Sequence, residues 1–130
     1  MSRALLITGG VLNSLLAVFH VFLGHSIYRI RDVAAGYRAL MIMLNAGGTL
    51  FIVLIALASL ALTKDMLTTK LGKLVTLFTF LLYASRALEE VTVSTQFSIT
   101  IFGTCIVISA IYAVLFFLPR QTPVGTDERR

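Results

Sequence analysis

Uncharged, apolar residues run along this chain in long blocks separated by short clusters of charge. Ala4 to Tyr28 holds 25 uncharged residues, Ala39 to Thr63 another 25, and Val91 to Pro119 holds 29. Each block exceeds the ~20 residues a helix needs to cross a hydrocarbon core of ~30 Å. A weaker candidate lies before the last of them. Lys73 and Arg86 bracket only the uncharged run Leu74 to Ser85, worth about 18 Å of helix. A helix there crosses a bilayer only if Lys73 snorkels to one interface and Arg86, Glu89 and Glu90 lie at or just inside the other. A re-entrant segment is the alternative. Four spans are expected, because the chain then returns in up-and-down order through short connections.

The pattern therefore predicts an all-α polytopic membrane protein, an up-and-down bundle of four transmembrane helices. The bundle occupies residues 1–120, with spans at about 4–28, 39–63, 71–93 and 97–119, and residues 121–130 form a polar, disordered cytoplasmic tail. Composition agrees. With 58% hydrophobic and 13% charged residues, the chain has about half the charge of an ordinary soluble domain and too little to coat a bundle facing water. The N-terminal block continues uncharged to Tyr28 with no small-residue cleavage site, so it reads as a retained span rather than a signal peptide.

The net charge of +5 would suggest nucleic acid in a soluble protein. Here the positive residues sit between the apolar blocks, where they act as topology signals, and nucleic acid is not expected as a partner. Arg3, Lys64, Lys70, Lys73, Arg120, Arg129 and Arg130 fall on the side holding both ends of the chain, and Arg29, Arg31, Arg38 and Arg86 on the other. That excess predicts both termini in the cytoplasm, in a plasma or inner membrane. The arginines of the first loop are expected to meet lipid headgroups or the carboxylates of the third loop. The expected partners are the lipid bilayer and other membrane helices, in a homo-oligomer or a membrane complex.

At 100° per residue each span carries a polar or small-residue stripe. Gly10, Asn13, Ala17, His20 and Gly24 share a face of the first, and Asn45, Gly48, Ile52, Ala56 and Ser59 one of the second. Thr76, Thr79, Tyr83, Arg86 and Glu90 do so on the third, and Ser98, Cys105, Ser109 and Tyr112 on the fourth. Membrane helices associate through such residues, so the stripes are expected to face inward and the leucine faces to meet lipid. Counting down from the outer ends places His20, Asn45, Arg86 and Cys105 about 10–12 Å deep, with Tyr83 just beneath and Glu90 just above. Ionisable groups at that depth are costly and mark candidate function. His20, Asn45, Tyr83, Arg86 and Glu90 are thus the candidate ligand or proton pocket, while Asn13 is expected to make an interhelical bond and Cys105 to pack.

No catalytic motif accompanies this pocket. A single cysteine excludes an internal disulfide and a CxxC centre, and His20 and His25 diverge by ~140° around their helix, too few and too far apart for a histidine-rich metal site. The stretch His20-Val-Phe-Leu-Gly24-His25, with Asp32 beyond it, resembles the histidine-bearing run in the membrane anchors of succinate dehydrogenase, without that family's Arg-His pair. What that resemblance implies is contact with a haem or quinone. The expected function is a non-enzymatic accessory or assembly subunit whose polar intramembrane pocket, in the outer half of the bundle, holds a lipid, quinone or haem. The alternatives are a small dimeric proton-coupled transporter, similar in size and span number to the small multidrug transporters but without their glutamate in the first span, and a membrane-embedded enzyme acting on a lipophilic substrate.

Overall fold

A helix forms wherever the apolar blocks run without proline, and of the two prolines Pro119 closes the last block and Pro123 lies beyond it. The structure, a computed structural model, describes residues 2–119; the predicted tail at 121–130 lies outside the described residues. The elements are α1 Ser2–Arg29, α2 Ala35–Ala61, a short α3 Thr63–Thr68, α4 Lys70–Thr92 and α5 Ile99–Phe117. The fold is all-helical among the described residues. Four of the helices are long and apolar enough to cross a membrane, with mean hydropathies of 1.9, 2.3, 1.3 and 2.4 in chain order. The lowest value belongs to α4, whose apolar stretch is short. Even so, α4 is one continuous helix of 23 residues.

The helices pack as two antiparallel hairpins. In the first, the Asn45 amide donates to the His20 carbonyl at 3.0 Å near one end. Near the other, Gly10 lies so close to α2 that a Cβ on it would stand 2.7 Å from Leu60. In the second hairpin, Ser109 Oγ donates to the Phe80 carbonyl at 3.3 Å, and Lys73 Nζ lies 4.7 Å from the centre of the Phe116 ring. The hairpins meet along α1 and α5. Gly9 makes that approach possible: a Cβ there would stand 2.9 Å from the Tyr112 ring.

The turns are fixed locally. Thr69 caps α4 by accepting from the Gly72 amide at 2.9 Å while its hydroxyl donates to the Asp65 carbonyl at 2.7 Å, so one threonine ends α3 and starts α4. Gly72 lies directly against the backbone of Asp65 and Met66, with no room for a side chain. This contact presses α3 onto the first turn of α4 and carries Met66 into the core beside Leu6 and Ile55. Ser98 caps α5 with its side chain toward the Ile101 amide.

The buried faces follow the polar and small-residue stripes: Gly9, Gly10, Asn13 and Ala17 on α1, Ile52, Ala56 and Ser59 on α2, Thr76, Thr79, Tyr83 and Glu90 on α4, and Cys105, Ser109 and Tyr112 on α5. The outer surface is aliphatic and aromatic, with Leu15, Phe22, Leu44, Leu57 and Leu74 each more than half exposed. An exposed apolar surface of this extent suits contact with hydrocarbon or with other apolar surfaces.

Candidate functional site

Helix hydroxyls in this chain mostly satisfy themselves. Ser14, Thr49, Thr76 and Thr79 each donate to the carbonyl four residues back, at 2.7–3.0 Å, a local bond that leaves little polarity for other helices. Four side chains depart from this habit and meet at the centre of the bundle. Tyr83 donates to Asn13 Oδ1 at 2.5 Å. The Asn13 amide donates to the Gly9 carbonyl at 2.7 Å and lies 3.4 Å from the Tyr112 hydroxyl. Tyr112 and Ser59 are joined at 2.7 Å. One residue comes from each long helix, and every bond between side chains in this cluster crosses from one hairpin to the other. Asn13, Ser59 and Tyr112 are fully buried. Sealed polar groups of this sort must be paired, and together they fix the register between the hairpins.

Above this cluster, toward the α1–α2 turn, the hairpins part and leave a cavity of about 470 Å³. Leu16, Phe19 and Leu23 of α1, Phe51 and Ile52 of α2, Leu82 of α4 and Ile101 of α5 give it apolar walls. Phe51 also touches Phe78 of α4 across the gap, with ring centres 6.0 Å apart. Gly48 lines the cavity too, and nothing lies within 4 Å of where its Cβ would be. Tyr83 and Cys105 line it from α4 and α5, and His20, Arg86, Thr100 and Thr104 bring polarity to its walls.

The polar groups are not equivalent. His20 Nδ1 lies 2.9 Å from the Leu16 carbonyl. A carbonyl only accepts, so Nδ1 carries the proton, and in the neutral ring Nε2 keeps a free lone pair. The hydroxyls of Thr100 and Thr104 make no side-chain hydrogen bond among the described residues, unlike those of Ser14, Thr49, Thr76 and Thr79. Arg86 is half-exposed and pairs with Glu90 at 3.1 Å and Glu89 at 3.7 Å. The cavity thus offers an acceptor, two hydroxyls and a partly neutralised cation against otherwise apolar walls.

Of the five residues singled out from the sequence, His20, Tyr83 and Arg86 line this cavity, and Cys105 of the predicted layer joins them. Asn45 and Glu90 do not. The Asn45 amide is spent on the α1 backbone beside Gly24, and its Oδ1 is buried without a partner. Glu90, 3% exposed, accepts from the Ser98 amide at 2.9 Å while holding Arg86. Its carboxylate faces the N-terminus of α5, where the helix dipole favours negative charge. Glu90 is therefore a clamp on the α4–α5 turn. Glu90→Ala is expected to cost about 2–3 kcal/mol of stability and Glu90→Gln, which keeps an acceptor for Ser98, about 1 kcal/mol. Denaturant titration of the detergent-held protein measures both, and equal stability of all three proteins would remove the clamp. His25 is exposed on the far side of α1.

The sequence reading missed Thr100, Thr104 and Gly48 as cavity residues and did not join Asn13 to Tyr83. The i, i+4 spacing of the two threonines was the available signal. Among the described residues no group of three or more histidine, cysteine, aspartate or glutamate side chains is arranged to hold a metal ion. No protein-family model, curated protein or solved structure matches this chain.

Proposed function

We propose that this chain is an integral membrane protein of the plasma or inner membrane, a four-helix up-and-down bundle with both termini cytoplasmic, that serves as a non-enzymatic accessory or assembly subunit by holding one amphipathic lipid between its hairpins. The observation that carries this reading is the cavity of about 470 Å³, walled by leucine, isoleucine and phenylalanine with His20, Arg86, Thr100 and Thr104 among its lining. An apolar pocket with a few polar groups is the usual form of a small-molecule site. An acyl lipid suits it best of the three occupants suggested by the sequence. Alkyl chains fill walls of branched aliphatic side chains, whereas a haem would find a single imidazole, His20, among the lining residues and a quinone ring is held by opposed polar contacts. Its head would accept hydrogen bonds from Arg86 and the threonines and offer one to His20 Nε2.

Two features weigh against the alternatives. Proton coupling through Glu90 needs its carboxylate free to titrate, and Glu90 is engaged with both Arg86 and the Ser98 amide. A hydrolytic enzyme needs a base held against a nucleophile; the Tyr83 hydroxyl is committed to Asn13, His20 Nδ1 to the Leu16 carbonyl, and no hydrogen bond joins His20 to Thr100, Thr104 or Cys105 among the described residues. The exposed leucine faces support the bilayer and other membrane helices as the proposed partners.

A diazirine-bearing fatty acid fed to membranes containing the protein tests the reading. After photolysis, crosslinks are expected to concentrate on peptides bearing Phe51 and Thr104. Uniform labelling of outward residues such as Leu15 and Val114 would sink the idea.

A further inference from the structure

A second polar feature lies outside this pocket, at the α1–α2 turn. Tyr28, Arg29, Arg31 and Arg38 surround an open cavity of about 530 Å³. The sequence left two destinations for these arginines, headgroups or the carboxylates of the α4–α5 turn. Those carboxylates are taken: among the described residues the only arginine with a carboxylate within 4.0 Å is Arg86, which holds both Glu89 and Glu90. Asp32 lies in the same turn and bridges none of the three. Arg38 is pre-positioned by a 2.7 Å bond from Nη1 to the Ile30 carbonyl, which folds its side chain back over the turn and leaves its other N–H groups free. Tyr28 and Tyr37, 71% and 70% exposed, flank the cluster as aromatic residues do at headgroup depth.

Three guanidinium groups without a carboxylate, around one cavity at the end of two apolar helices, have a definite chemical complement. Guanidinium presents planar paired donors that match phosphate oxygens. Mutual repulsion of three like charges is relieved by an anion placed among them. We propose that Arg29, Arg31 and Arg38 form a phosphate-binding site, which takes either the phosphate of a lipid headgroup or free phosphate. The lipid arm rests on the membrane reading; the free-phosphate arm does not require a bilayer. The site is separate from the lipid-holding cavity between the hairpins, and the two can be emptied independently.

The test compares the wild type with Arg29→Gln/Arg31→Gln, which leaves the Arg38 anchor in place, and with Lys64→Gln/Lys70→Gln at the opposite end as a charge-matched control. Each is placed in phosphatidylcholine nanodiscs doped with phosphatidic acid, and retained lipids are counted by native mass spectrometry. Each is also titrated with inorganic phosphate in detergent. If headgroups are bound, the wild type and the lysine control retain phosphatidic acid in preference to phosphatidylcholine, and the arginine variant, which removes two guanidinium groups, loses about tenfold or more of that preference, an effect that even one lost charge-assisted contact produces. Saturable inorganic phosphate binding that disappears in the arginine variant, with no lipid preference, assigns the site to free phosphate. Absence of both, or equal behaviour of the arginine and lysine variants, overturns the proposal.

Discussion

Asn13→Ala is expected to lower the stability of the folded bundle by about 2–4 kcal/mol, more than any other single truncation of a polar side chain. Asn13 is fully buried, accepts from Tyr83 at 2.5 Å, and donates to the Gly9 carbonyl at 2.7 Å with Tyr112 close by. Its removal leaves the Tyr83 hydroxyl without an acceptor in a region water does not reach, and opens a small void between the hairpins. An interhelical hydrogen bond in a membrane contributes about 0.6 kcal/mol on average and up to about 1.7; the orphaned phenol and the void add to that. Tyr83→Phe creates no void and leaves only the Asn13 Oδ1 acceptor unpaired, so it should cost less, about 1–2 kcal/mol. Steric trapping in bicelles measures both. If Asn13→Ala lies within about 0.5 kcal/mol of the wild type, the cluster does not hold the hairpins together.

Gly48→Leu should act in the opposite way, leaving the fold intact and emptying the pocket. Nothing lies within 4 Å of a Cβ at this position, and the residue lines the cavity. Replacing a mid-helix glycine also favours the helix by up to about 1 kcal/mol. The new side chain projects into the space assigned to the acyl chain. Lipid retention is expected to fall by more than about tenfold, since displacing two or more buried methylenes removes about 1.6 kcal/mol of apolar contact. Gly10→Leu serves as the contrast. Its Cβ would meet Leu60 and Ser59 at 2.7 and 3.1 Å, so it disturbs α1–α2 packing rather than the pocket. Crosslinking yield and thermal stability, measured on both variants, separate the two effects.

The helices and their inward faces were legible in the sequence because they depend on two short-range properties, an uncharged run and a 100° periodicity. Gly10, Asn13 and Ala17 on α1, like Tyr83 on α4, turned out buried for that reason. What lies at the same height was less legible. Counting from the helix ends nearest the α1–α2 turn puts Asn13 about 24 Å and Tyr83 about 14 Å deep, yet the two side chains bond. Helices tilt and begin at different levels, and a tyrosine carries its hydroxyl more than a helical turn from its own Cα. Glu90, expected in the pocket, has its stripe position on the buried face, but the turn to α5 brings the Ser98 amide to its carboxylate. Helix α3 was hidden because it is too short to show a period, and its position depends on Gly72 accepting backbone contact from Asp65 and Met66.

The cavity between the hairpins is the centre of the functional reading, and native mass spectrometry of the wild-type protein, released gently from its own membrane, tests it most directly. One lipid per chain, retained at collision energies that strip the annular lipids and lost in Gly48→Leu, is the predicted result. A chain that sheds all its lipid together with the annulus, or a lipid retained equally by Gly48→Leu, would contradict it.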